Sequence, residues 1–166
     1  MESFESNMTT LGEIFGKEDE MKEELAAIET QIEDVKASTT DEKALIVLAN
    51  EGKVSAYGAA SRFGIIHDVF GVKQADEGIE TSTHGQSISF EYILETNPDM
   101  IFVIDRNAAV GTDESAKDSL ENELVKKTTA FQEDKIIYLD PDYWYLSGGG
   151  LQSVSEMVKA IQSAFE

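Results

Sequence analysis

Three short apolar runs restrict this chain more than any other feature. KALIVLAN (residues 43–50), MIFVID (100–105) and IIYL (136–139) are rich in β-branched and aromatic residues and too short for independent helices. Near-continuous apolar strands of this kind belong in a sheet covered on both faces. The segments between them carry helical spacing, and strands alternating with helices make a parallel sheet joined by right-handed crossovers. The expected class is α/β, a Rossmann-like parallel-sheet lobe with flanking helices.

The remaining elements follow from caps, turns and periodicity. Residues 3–15 predict a short helix ended by Gly16, and residues 17–36 a longer one. In the longer helix Met21, Leu25, Ile28, Ile32 and Val35 form one apolar stripe opposite a glutamate-rich face. These two helices fall outside the alternation. After a polar link (38–42) and the first strand, Glu51-Gly52 predicts a turn into a second extended segment, 53–57. Ser61 is the expected N-cap of a helix over 62–70 that Gly71 closes. Residues 73–89 read as a polar loop. Ser87 or Ser89 caps a helix running to Thr96, which Asn97-Pro98 ends. Residues 114–127 predict a surface-lying helix with few apolar anchors. Residues 151–165 predict an amphipathic one with Val154, Met157, Val158, Ile161 and Phe165 inward.

Composition excludes several classes. With 166 residues, 41% of them hydrophobic, the chain has the length and content of one globular domain. It has no cysteine, so disulfides, thiol nucleophiles and cysteine metal sites are ruled out. It has no apolar run of about 18 residues to span a membrane. Met1 leads straight into acidic, helix-like sequence, so no signal peptide or anchor is expected. The net charge is −20, and residues 1–42 alone hold 13 acids against three lysines. Such a surface repels nucleic acid and anionic headgroups.

Candidate chemistry collects where strands end. In open α/β sheets ligands lie beyond the carboxyl ends of the strands. There the third run passes through Asp140-Pro141 into Tyr143, Trp144, Tyr145, Ser147 and three glycines. These rings either frame a ligand or plug the core. Arg106 follows MIFVID directly, and Arg62 follows a strand and a Gly/Ala turn. They are the only arginines in the chain. Two guanidiniums at one edge would hold a multidentate anion; alternatively each pairs with an acid such as Asp105 or Asp68. His84 sits in a loop before a glycine, where the backbone can aim it, and with Tyr145 it could offer a nitrogen and a phenolate oxygen to a metal. His67, in a helical segment, reads as packed or solvent-facing. SGGG lacks both phosphate-loop spacings. No nucleophile stands with a base, so no enzyme is expected.

Three stretches carry a resemblance. YGAASRFGIIHDVFGV, STHGQSISFEYILETNPDMIFVIDRNAA and KIIYLDPDYWYLSGGGLQS resemble the siderophore-binding proteins of ABC importers, in particular the catecholate (enterobactin or petrobactin) class. KEDEMKEEL resembles the start of the long helix that joins the two lobes in that family. The resemblance implies half of a two-lobed class III binding protein. Residues 1–38 would be connecting helices, comprising the end of the other lobe and the inter-lobe helix, and residues 39–166 the C-terminal ligand-binding lobe. It implies a ferric siderophore as ligand, no intrinsic cofactor, and an ABC permease as membrane partner. It also implies an extracytoplasmic location, as a periplasmic protein or surface lipoprotein. Arg62 and Arg106 match the family's anion-holding arginines. His84 and Tyr145 match side chains that complete Fe(III) coordination when the siderophore leaves sites open, and Tyr143 and Trp144 would frame the cleft. With one wall of the cleft absent, self-association through the exposed cleft face is expected. The alternative is an acidic α/β protein-interaction module with no small ligand.

Overall fold

The computed structural model describes residues 1–111, 115–147 and 149–165. Glu114 and Gly148, placed above in a helix and in the glycine run, lie outside the described residues. Helix α1 (Glu2–Phe15) ends at Gly16, and helix α2 (Glu18–Ser38) follows, both as expected. Strand β1 (Lys43–Asn50) turns at Glu51 and Gly52, both at positive φ, into β2 (Lys53–Tyr57). Positive φ at both central residues is the geometry that two-residue hairpin turns favour. Short elements come next: α3 (Ile65–Asp68), β3 (Lys73–Gln74), β4 (Gln86–Ile88) and α4 (Phe90–Thr96). Ser89 caps α4, its Oγ accepting from the Tyr92 N–H, and Asn97 closes it in the left-handed region. Strand β5 (Met100–Asp105) runs into α5 (Arg106–Val110). Helix α6 (Ala116–Leu120), a 3-10 turn (Val125–Lys127) and α7 (Thr129–Gln132) lead to β6 (Ile136–Leu139). A π-type turn (Asp142–Leu146) and helix α8 (Leu151–Ser163) complete the order.

The sheet runs β4-β2-β1-β5-β6, with β3 beside the start of β1. Strands β1, β5 and β6 are parallel, because long helical crossovers connect them. Strands β2 and β4 extend this sheet as an antiparallel wing. A two-residue link permits no other pairing of β1 with β2. The expected parallel sheet is therefore present as the three apolar runs, and the wing is an addition to it.

Strand alternation divides the interior in two. Ile46, Phe102, Ile104 and Leu139 pack with Ile28, Ile32 and Val35 of α2 and with Val154, Val158 and Ile161 of α8. Leu45, Val47, Ile101 and Val103 pack on the other face with Ile93, Leu120, Val125 and Ala130. Full burial of each large apolar side chain stabilises the fold by about 1.5–3 kcal/mol. The α2 stripe thus belongs to the same core as the sheet. Among the described residues no helix is long and apolar enough to cross a membrane.

Three expectations are corrected. The helix expected over 62–70 is only Ile65–Asp68, and Ser61 does not cap it. Ser61 Oγ donates to Gly58 O at 2.6 Å, while the Ala60 N–H donates to Asp68 Oδ2 at 2.7 Å, so the chain is held in turns until Gly64. The polar loop 73–89 contains β3 and β4, which are too short and too polar to show periodicity. The segment read as a surface helix over 114–127 is broken, and its anchors Ala116, Leu120 and Val125 are fully buried. Asp105 draws that segment onto the sheet edge, since its Oδ2 accepts the Ala116 N–H.

Candidate functional site

The period-2 geometry of β2 builds the floor of the site. Val54 and Ala56 enter the core, so Lys53, Ser55 and Tyr57 face the other way. Register carries that face across the sheet, since Lys53 pairs with Asn50, and Ser55 with both Leu48 and Ser87. Arg106 enters from the end of β5 and Tyr145 from the turn after β6. Arg62 comes from the turns before α3, and His84 from the loop before β4. All of these side chains line one concavity of about 320 Å³ beyond the carboxyl ends of the parallel strands. The fold therefore brings together Arg62, His84, Arg106 and Tyr145, four residues separated by up to 83 positions.

Tyr145 is the hub. Arg106 Nε donates to its hydroxyl oxygen at 3.0 Å and Arg106 Nη1 donates to Asn50 Oδ1 at 2.8 Å. Arg62 Nη2 donates to the Tyr145 carbonyl at 2.6 Å, and its Cζ lies 4.5 Å from the centroid of the Tyr145 ring and 5.1 Å from that of Phe63. Stacking of this kind holds an exposed guanidinium with about 0.5–1 kcal/mol. Among the described residues neither arginine forms an ion pair. Asp68 and Asp105, the acids considered as partners, bind backbone N–H groups instead. Among the described residues, then, neither Asp68 nor Asp105 serves as the arginines' partner.

His84 is placed by its neighbour. Gly85 has a φ of 73°, and a Cβ there would lie 2.6 Å from Tyr57 Cε2 and 2.9 Å from Ala56 O. Only glycine lets this loop press onto the β2 ring, and the loop's approach sets His84, itself exposed, at the rim of the concavity. Tyr57 packs edge-on to Phe63, ring centroids 4.7 Å apart. Burial pushes its phenol up, an effect offset in part by the charge of Arg62. His67 stands elsewhere: its Nδ1–H donates to Val72 O at 2.8 Å, and burial depresses its pKa.

The aromatic loop divides its rings. A helical turn fans successive side chains roughly 80–100° apart, so three consecutive rings cannot share one face. Tyr145 faces the concavity. Trp144, only 4% exposed, plugs the core beside Val154, and Tyr143 lies half-buried toward Ser147 and Leu151. Of the three rings, then, only Tyr145 is among the described residues lining the concavity, and Trp144 takes the core-plugging place. Sequence reasoning missed Lys53, Ser55 and Tyr57, although the alternation in KVSAY carries the signal. Among the described residues no three His, Asp or Glu side chains gather to hold a metal. Among the described residues the lining holds Lys53, Arg62 and Arg106 and no carboxylate, in a chain of charge −20.

The family model described as periplasmic binding protein matches residues 1–143. The petrobactin-binding protein YclQ of Bacillus subtilis is 52% identical over all of this chain and 53% of its own length. The ferric-anguibactin-binding protein FatB of Vibrio anguillarum is 38% identical over 92% of this chain and 50% of its own. The crystal structure of YclQ superposes with a TM-score of 0.97 at 51% identity, covering 100% of this chain and 59% of that one. The chain spans about half the length of the curated relatives it matches.

Proposed function

Because the chain belongs to the periplasmic binding protein family, we propose that it binds a ferric siderophore of the catecholate type for uptake by an ABC importer, as a binder and not as an enzyme. The observation that carries this reading is the concavity that gathers three cations, with no carboxylate among its described residues, on a strongly acidic chain. A ferric catecholate complex is anionic, and such a cluster gives it a local positive field and fork-shaped donors. Arg62 and Arg106 act as the clamp, with Lys53 as a third cation at the rim. His84 and Tyr145 reach the iron when the siderophore supplies four donors instead of six. Fe(III) prefers oxygen, and a phenolate at Tyr145 would have the Arg106 guanidinium beside it. Trp144 and Tyr143 hold no place in this reading, because neither lines the concavity. The relatives' names support a ligand of this kind: they are called petrobactin-binding and ferric-anguibactin-binding proteins.

Residues 1–38 serve as connecting helices and residues 39–166 as the ligand-binding lobe. The location is extracytoplasmic, where an ABC permease is the membrane partner. Leu146, next in sequence to Tyr145, and Val110, four residues after Arg106, are exposed apolar side chains that favour self-association. The chain's one tryptophan reports binding, because a ferric catecholate near Trp144 quenches its emission. Saturable quenching on titration with ferric petrobactin supports the proposal. Emission that stays unchanged, with no heat of binding by calorimetry, favours the acidic interaction module instead.

A further inference from the structure

A second concavity, of about 400 Å³, lies on the other side of Arg62. Phe4, Phe63, Trp144 and Met157 give it apolar walls, and Asn7 and Arg62 stand among its polar groups. Among the described residues Arg62 is the only one common to its lining and that of the site above, so the two are separate places on the protein. Among the described residues the lining has no acidic side chain. The indole Nε1–H of Trp144 is shielded from solvent and has no hydrogen-bond partner among the described residues. A buried indole N–H ordinarily finds an acceptor, and leaving it unmet is costly. Met157, in the same lining, is the adaptable kind of side chain that can give way to an entering group.

We infer that this concavity is a second ligand site, taking a small molecule with an apolar body and one carboxylate. The body lies against Phe4, Phe63 and the Trp144 ring, and the carboxylate accepts from Arg62 and from the indole N–H. Apolar walls with a few convergent donors are the usual make-up of a small-ligand pocket. The inference shares Arg62 with the iron-complex reading but needs none of Arg106, His84 and Tyr145.

The test uses 3-phenylpropionate as the probe, without iron, and follows the single indole N–H resonance of the protein by two-dimensional NMR. A saturable shift with a dissociation constant on the order of 1 mM is expected for a ligand this small. Asn7 is exposed on α1, so Asn7→Phe fills the concavity from its rim without disturbing the core and should weaken the probe at least tenfold. The uncharged 3-phenylpropanol should bind more weakly than the carboxylate. The inference is overturned by the absence of a saturable shift, by a shift that Asn7→Phe leaves unchanged, or by equal binding of the alcohol. Titration of Asn7→Phe with ferric petrobactin reads the first site separately, so a failure of one reading does not imitate a failure of the other.

Discussion

At the scale of single residues the two arginines are not equivalent. Arg106 is half-buried and committed through two hydrogen bonds, whereas Arg62 is exposed and held by one hydrogen bond and by stacking on rings. Charge-assisted bonds contribute ~1.5–3 kcal/mol each, so alanine at either position should weaken a ferric catecholate about tenfold or more. Arg106→Ala should cost more, because it also releases Tyr145 and Asn50. Arg106→Lys should recover only part of the loss, since the fork is gone; full recovery in a titration would count against the clamp. Tyr145→Phe should weaken four-donor complexes and abolish their spectral change on binding, with little effect on six-donor ones. Equal affinity of both proteins for a four-donor complex would remove Tyr145 as a ligand. Arg62, Arg106, His84 and Tyr145 were legible in the sequence because each stands out chemically from its surroundings. Tyr143 and Trp144 misled, because identity and adjacency do not reveal how a turn aims consecutive rings. Tyr57 and Lys53 escaped notice because a strand's facing depends on which side the core lies.

Among elements, the long ones announce themselves and the short ones do not. β1, β5 and β6 match their apolar runs residue for residue, and the α2 stripe buries Ile28, Ile32 and Val35. β3 and β4, of two and three residues, owe their pairing to neighbours and leave no pattern of their own. The loop before β4 depends on Gly85, so Gly85→Ala should shift His84 and weaken four-donor complexes while the core melts cooperatively. Unchanged affinity with an unchanged Tyr57 environment by NMR would refute that dependence. Helix α3 carries a pH response. Burial, the dominant cause, depresses His67 from its ordinary value of 6.5, outweighing its bond to Val72 and the charge of Asp68. The unfolded chain then binds a proton more readily, so stability falls as pH drops from about 6.5 through the folded value and levels below it. His67→Gln should flatten that part of the melting-temperature profile; a profile of unchanged slope would show that His67 is not its source.

At the largest scale, a chain of net charge −20 gathers Lys53, Arg62 and Arg106 at one concavity. Its 166 residues provide an open concavity at the sheet edge, while relatives about twice as long share the same fold over this half. Exposed Leu146 and Val110 predict concentration-dependent association. Light scattering that shows monomers at every concentration would contradict it, and Leu146→Glu should abolish the effect. The central claim is that the hollow clamps an anionic iron complex through two guanidiniums. Its most direct test is a ferric petrobactin titration of the parent chain beside the Arg62→Ala/Arg106→Ala double variant, read by Trp144 emission. Two lost charge-assisted contacts predict a drop in affinity of about 100-fold or more in a variant that still melts cooperatively. A folded double variant that binds as tightly as the parent would contradict the account.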